Sequence, residues 1–187
     1  YRQRSPELFR DDARTAGLAR PGYLMLGFGT QFLDADLDGW SDLVVANGHV
    51  HNLAAEGVAY RMRPQFFRNA GSGRYNELPA ASLGEYFQRE YLGRAVARLD
   101  WNRDGRVDMV MTHLDAPAAL LSNTSPTANH FLSVGLRGVA SSRDAFGATL
   151  WAKCGARRWM KQLTAGDGFQ AASERRIVFG LGANERI

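Results

Sequence analysis

Two nine-residue windows with the same acidic pattern, 66 residues apart, constrain this chain more than any other feature. They span residues 34–42 and 100–108, called here the first and second loops, and both read D-x-[DN]-x-D-G-x-x-D. Oxygen-bearing side chains stand at positions one, three, five and nine: Asp34, Asp36, Asp38 and Asp42 in the first loop, and Asp100, Asn102, Asp104 and Asp108 in the second. Carboxylates this close together repel one another unless a cation is bound. The alternative is a pair of plain Asp-rich turns, and the recurrence of the same nine-position pattern favours cation-binding loops.

Calcium is the cation that this pattern predicts. Calcium takes six to eight oxygen ligands, and a loop with alternating oxygen donors can wrap around it. The glycine at position six permits a sharp turn, and the backbone carbonyl at position seven, from Trp40 or Arg106, is a further predicted ligand. An EF-hand is excluded because its position-twelve Glu is replaced here by Val45 and Met111. We therefore predict about two Ca²⁺ ions with a structural role.

The two loops belong to a longer repeat. The same 66-residue shift relates residues outside the loops: Phe9 to Tyr75, Leu26 to Leu92, and Gly27 to Gly93. An apolar, β-branched run follows each loop and predicts a buried strand. A further strand is predicted at 65–69 and echoed at 119–123. About four short strands per repeat is typical of a β-propeller blade, although two units are too few to close a propeller.

The C-terminal third does not follow the repeat. Alternating apolar and polar residues at 131–137 and 150–163, together with an apolar segment at 177–179, predict a small antiparallel, sandwich-like β domain. Helix is expected only in short pieces such as 80–86, and Gly166-Asp167-Gly168 is predicted to form a hairpin turn. The chain is thus expected to be all-β, with a repeat region at 1–125 and a second domain at 126–187.

Specific motifs in both regions resemble known families. The repeat motifs are Phe28-Gly29 before the first loop, the loop itself, and the segment 43–49 after it. They resemble FG-GAP/VCBS repeats, which also occur in integrin α-subunit propellers. Motifs at 129–138, 142–148, 164–169 and 178–182 resemble the ASPIC/UnbV domain, which follows such repeats in a family that includes cartilage acidic protein and many bacterial relatives. The resemblance implies calcium-binding propeller repeats in secreted, periplasmic or cell-surface proteins with mostly adhesive roles.

Composition and charge argue against several classes of function. The formal net charge is +4 and the pI is near 9.6, but the basic residues are scattered, which argues against a nucleic-acid partner. No stretch approaches the roughly 20 apolar residues of a membrane helix. Cys154 is the only cysteine, so an internal disulfide is impossible. No serine lies in a nucleophile elbow and the histidines are scattered, so no catalytic set is predicted.

These observations predict a non-catalytic, calcium-stabilised β-repeat protein for extracellular or cell-envelope binding. A protein or an anionic glycan or envelope polymer is the expected partner, because bound calcium would add to an already positive charge. One alternative is an accessory or enzymatic role in a biosynthetic pathway, since relatives of the second domain occur in enediyne biosynthesis. That role predicts a polar pocket near 129–143. Another alternative is a subunit of a larger envelope assembly. The chain is expected to be part of a longer protein or assembly.

Overall fold

Short antiparallel strands make up nearly all of the regular structure. The computed structural model describes residues 1–69 and 71–186, so the last residue of the predicted 126–187 domain lies outside the described range. The strands are β1 (Arg2–Ser5), β2 (Leu8–Arg10), β3 (Gly27–Leu33), β4 (Asp42–Asn47), β5 (Gln65–Asn69), β6 (Tyr75–Glu77), β7 (Gly93–Leu99), β8 (Asp108–His113), β9 (Ala119–Leu121), β10 (His130–Gly135), β11 (Thr149–Cys154), β12 (Arg157–Gln162) and β13 (Arg176–Gly182). The helical pieces in the described residues are short: 3-10 turns at Ala54–Glu56 and Ala80–Ser82, and α1 (Glu85–Gln88). The all-β prediction is confirmed.

Each repeat unit forms one antiparallel sheet. The first sheet has the strand order β3-β4-β5-β6, and the second has the order β7-β8-β9. Their pairing registers are related by the shift seen in the sequence, since Leu33 pairs with Asp42 and Leu99 pairs with Asp108. Both sheets also share an irregularity near the start of the inner strand. The periodicity therefore predicts register as well as strand order.

The N-terminal hairpin follows the same periodicity. In β1 and β2, Arg2 pairs with Arg10 and Gln3 pairs with Phe9. Adding 66 to these numbers gives the β5–β6 pairs Arg68 with Asn76 and Asn69 with Tyr75. The hairpin thus matches the outer two strands of a repeat unit. None of the sheets in the described residues closes into a ring.

A shared hydrophobic core lies between the two repeat sheets. Val44 and Phe66 from the first sheet pack in one cluster with Val96, Met109 and Met111 from the second. The inner strands β3 and β7 approach closely at Gly29, where an added Cβ would lie 2.5 Å from the Arg94 carbonyl oxygen. Only glycine permits this approach of the two backbones.

The C-terminal region, residues 126–186, has its own core. It contains two antiparallel ribbons, β10 with β13 and β11 with β12. Ala152, Trp159 and Phe179 are buried in one cluster contributed by both ribbons. None of the helices in the described residues has the length and apolar character needed to span a bilayer.

The hairpin predicted at Gly166-Asp167-Gly168 is wrong. These residues lie in the connection from β12 to β13, which belong to different ribbons. The Asp167 carboxylate accepts hydrogen bonds from Gln31 Nε2 at 3.0 Å and from Arg98 Nη2 at 2.6 Å. The segment is shaped by docking onto the inner strands of both repeats, and a local turn signal cannot reveal such a contact.

Candidate metal centre

The two acidic loops have the same backbone conformation. At position four, Leu37 and Arg103 have φ of 59° and 60°. At position six, Gly39 and Gly105 have φ of 88° and 84°. A non-glycine residue with positive φ is costly for an L-amino acid, and the same cost appears at the same position of both loops. The repeated sequence pattern therefore encodes a repeated loop geometry.

Positions one and nine hold each loop together through backbone N–H groups. The N–H groups of Gly39 and Gly105 donate to Oδ2 of Asp34 and Asp100, at 2.9 and 3.1 Å.

The position-nine carboxylates are buried, and both oxygens of each carboxylate accept hydrogen bonds from backbone N–H groups. For Asp42 the donors are Ala35 N at 3.1 Å and Asn69 N at 2.8 Å; for Asp108 they are Trp101 N at 3.1 Å and Asn123 N at 2.7 Å. Position nine thus fastens the loop to the end of the third strand, a role that the sequence pattern alone did not reveal.

Three carboxylates converge in the first loop. One oxygen from each of Asp34, Asp36 and Asp38 lies within 4.8 Å of the others. Asp34 is only 3% exposed, and its Oδ1 has no hydrogen-bond partner; Oδ1 of Asp36 is likewise buried without one. Buried carboxylate oxygens without partners are costly unless a cation or proton compensates them. This donor set fits a hard divalent cation.

The pKa values in the first loop reflect the same buried, uncompensated negative charge. Burial raises the pKa of Asp34 to about 7, against a partial offset from the Lys161 ammonium. Burial also raises the pKa of Asp42 to about 6 and raises that of Asp38. Arg68 pairs with the loop from β5, with Nη2 2.6 Å from Asp36 Oδ2, but its side chain is 55% exposed. The first loop is therefore short of positive charge.

The second loop compensates its own carboxylates. The Arg106 guanidinium pairs with Asp104, and Asn102 Nδ2 donates to Asp104 Oδ2 at 2.9 Å. The Asp104 N–H also donates to Asp100 Oδ1 at 3.1 Å. Burial alone would raise the pKa of Asp104, but the hydrogen bonds from Arg106 and Asn102 lower it overall. The second loop has the same fold as the first, but its carboxylates already have partners.

The position-seven residues, whose backbone carbonyls are predicted calcium ligands, lie at equivalent places in both loops. The N–H of Trp40 donates to Asp38 Oδ1 at 2.8 Å, and that of Arg106 donates to Asp104 Oδ1 at 2.9 Å. These bonds fix the peptide at position seven in the same way. The Trp40 ring is 45% exposed, whereas the Arg106 side chain folds back to donate from Nε to the Asn123 carbonyl at 2.9 Å.

Comparison with protein families matches this geometry. An FG-GAP-like repeat model matches residues 34–111, a span that begins at the first loop and ends in the strand after the second. An ASPIC and UnbV model matches residues 138–187. The chain thus carries an FG-GAP-like repeat region followed by an ASPIC/UnbV domain. This confirms the resemblance drawn from the motifs. No curated protein matches the chain.

The ASPIC/UnbV side of the molecule packs directly against both FG-GAP-like loops. At the second loop, Glu174 pairs with Arg103 and accepts the Asp100 N–H at 2.9 Å, while the Phe131 ring covers Gly105. At the first loop, Gly180 lies against Asp34. Local sequence patterns do not predict these contacts, although a glycine inside the apolar β13 run is a known sign of close backbone approach.

A cavity of about 210 Å³ lies between the loops and the C-terminal region. Its polar lining includes Asp34, Asp100, Arg98, Lys161, Ser173 and Glu174. Most of these groups already have protein partners: Lys161 Nζ donates to the Val178 carbonyl at 2.6 Å, and Ser173 Oγ donates to Asp167 Oδ1 at 3.2 Å. The cavity is therefore a polar gap in the contact between the repeat region and the C-terminal region.

Proposed function

We propose that this chain is a non-catalytic, calcium-binding FG-GAP-like repeat protein in which calcium stabilises the fold. The observation that carries the proposal is the convergence of Asp34, Asp36 and Asp38 with two buried, partnerless oxygens. A divalent cation would supply the positive charge that this loop lacks. The oxygen-only donor set favours calcium over metals that prefer nitrogen or sulfur.

The ligands that we propose follow the repeat pattern. In the first loop they are the side chains of Asp34, Asp36, Asp38 and Asp42 and the Trp40 carbonyl; in the second they are the side chains of Asp100, Asn102, Asp104 and Asp108 and the Arg106 carbonyl. We expect weaker binding at the second loop, because a cation there must displace the guanidinium of Arg106 from Asp104. Two bound ions would raise the formal charge from +4 to about +8.

We further propose an extracellular, periplasmic or cell-surface location and a binding or adhesive role. FG-GAP-like repeats are typical of such proteins, which supports this assignment. The positive charge of the calcium-loaded chain favours an anionic glycan or envelope polymer, or a protein with an acidic face. Binding to an acidic glycan should weaken as salt rises, because exposed charges are screened. Binding that does not change with salt would contradict this choice of partner.

An accessory enzymatic role is the competing proposal, and it predicts a pocket near 129–143. The junction cavity is lined by other residues, and Ser173 there accepts the Arg98 N–H and donates to Asp167. A hydroxyl held in this way serves the packing of the domains, which supports the non-catalytic proposal. The other alternative, that this chain is a subunit of a larger envelope assembly, is compatible with the same calcium chemistry.

Thermal unfolding in calcium and in a chelator tests the main proposal. A ligand that binds only the folded state adds about 2.7 kcal/mol at 100 times its dissociation constant. For a chain of this size that corresponds to roughly 5–10 °C in the unfolding midpoint. The double variant Asp38→Ala/Asp104→Ala should lose the shift, whereas Asp144→Asn, which alters an exposed carboxylate outside the loops, should keep it. An unchanged midpoint in calcium, magnesium and chelator would show that the loops are plain turns.

A further inference from the structure

The backbone carbonyls of the first loop form a row that the C-terminal region caps. Four consecutive carbonyls accept hydrogen bonds from it: Asp36 O from Thr127 Oγ1 and Asn129 Nδ2, both at 2.8 Å; Leu37 O from Gly182 N at 2.9 Å; Asp38 O from Arg157 Nη2 at 3.2 Å; and Gly39 O from Trp159 Nε1 at 3.2 Å. The donors come from the segment before β10 and from β12 and β13. Every carbonyl from position three to position six of the loop is thus held by the C-terminal region.

Close packing accompanies these bonds. A Cβ added to Gly180 would lie 2.0 Å from Asp34 Oδ2 and 2.7 Å from the Leu37 backbone. The guanidinium of Arg157 lies over the Trp40 ring at 5.5 Å and over the Trp159 ring at 4.9 Å. The first loop and the C-terminal region therefore share one continuous contact, and the loop cannot change shape without disturbing it.

The capped carbonyls leave the proposed calcium ligands available. The C-terminal region uses the carbonyls of positions three to six, whereas the proposed ligands are the side chains at positions one, three, five and nine and the carbonyl at position seven. Both sets require the same loop backbone, including the positive φ of 59° at Leu37. A group that holds this conformation lowers the conformational cost of binding at the other set.

The second loop provides an internal contrast. Its contact with the C-terminal region runs through the Glu174 side chain, which pairs with Arg103 and accepts the Asp100 N–H. Phe131 covers Gly105 from the same side. These contacts hold the edge of the second loop through side chains, and the row of carbonyl contacts described above belongs to the first loop.

We propose that calcium binding at the first loop and docking of the C-terminal region stabilise each other. The first loop is then both a calcium site and the docking surface for the ASPIC/UnbV side of the chain. This inference rests on the proposed function, since it requires an ion at the first loop. Linkage makes the effect reciprocal: calcium must bind more weakly to the undocked loop than to the docked loop by the same factor by which removing calcium weakens docking.

Calcium titration by calorimetry on matched tryptophan variants tests the coupling. Trp159→Phe removes the indole N–H that reaches the Gly39 carbonyl, whereas Trp151→Phe removes the indole of a tryptophan that is 57% exposed. Trp159 also packs in a core, so Asn129→Ala is a second docking variant outside that core. The first-loop site is identified in the wild type as the binding event lost in Asp36→Asn.

Trp159→Phe and Asn129→Ala should weaken calcium binding at the first loop by about five-fold or more, the usual range of such couplings. Trp151→Phe should bind as the wild type does. In the wild type, a chelator should speed amide hydrogen exchange in peptides covering β10 and β13. If the wild type binds no calcium, the proposed function itself fails and this inference fails with it. If the wild type binds calcium but both docking variants keep its affinity, the coupling is wrong and the calcium proposal stands.

Discussion

Gly180 in β13 tests the docking of the C-terminal region by a purely steric change. Its φ is not in the left-handed region, so alanine can adopt the same backbone. The added Cβ would lie 2.0 Å from Asp34 Oδ2 and 2.7 Å from the Cα and carbonyl carbon of Leu37. The carboxylate can rotate away, but the Leu37 backbone cannot. Since ordinary carbon contacts begin near 3.5 Å, the two domains must separate by about 0.8 Å at this point.

Overpacking of this kind costs about 1–3 kcal/mol. We therefore expect Gly180→Ala to lower the unfolding midpoint by roughly 4–8 °C for a cost near 2 kcal/mol, as measured by calorimetry at fixed calcium. Gly135→Ala is the matched control in the partner strand β10, because its Cβ would meet nothing within 4 Å. That variant should change stability by less than about 0.5 kcal/mol. Equal stability of the two variants would refute the close packing of β13 on the first loop.

Three further predictions concern the loops themselves. Asp34→Asn should remove most of the calcium-dependent rise in the unfolding midpoint, and Asp100→Asn should remove less, because the second loop has internal partners; a larger loss in Asp100→Asn would reverse our ranking of the sites. In chelator, stability to denaturant should fall from pH 5 to pH 8. Burial raises the pKa of Asp34 to about 7 and of Asp42 to about 6, so the folded state binds these protons more tightly than the unfolded state and loses that advantage as pH rises; a flat or rising profile would contradict this. Arg106→Gln should tighten calcium binding at the second loop several-fold by freeing Asp104, and calorimetric titration that finds unchanged or weaker binding there would show that the guanidinium does not compete.

The repeat could be predicted from the sequence because it is encoded twice. The shift that relates the two loops also relates the strand bounds and the pairing registers of β3–β4 and β7–β8. Hydrophobic alternation was likewise sufficient for β11, where Ala152 is buried between exposed Trp151 and Lys153. These features depend on local patterns that each segment carries by itself.

The parts that could not be predicted depend on contacts distant in sequence. The sequence around Asp167 is typical of a turn, yet its carboxylate accepts hydrogen bonds from Arg98 and Gln31 of the repeat sheets. The loops look equivalent by pattern, but the side chains at position seven have different contacts: Arg106 contacts its own repeat unit and Trp40 contacts Arg157. Nothing in a nine-residue pattern indicates that Arg106 folds back onto Asp104 while Trp40 lies against the C-terminal region.

This difference at position seven accounts for the unequal charge compensation of the two loops. In the second loop Arg106 pairs its positive charge with the Asp104 carboxylate, so this carboxylate is compensated from within the loop. In the first loop position seven is a tryptophan, and the carboxylates of Asp34 and Asp36 retain buried oxygens without partners. The uncompensated loop is also the one whose carbonyls the C-terminal region caps. A cation at the first loop would therefore stabilise the fold most where the repeat region meets the C-terminal region. Calcium bound there would determine how firmly the two regions are joined.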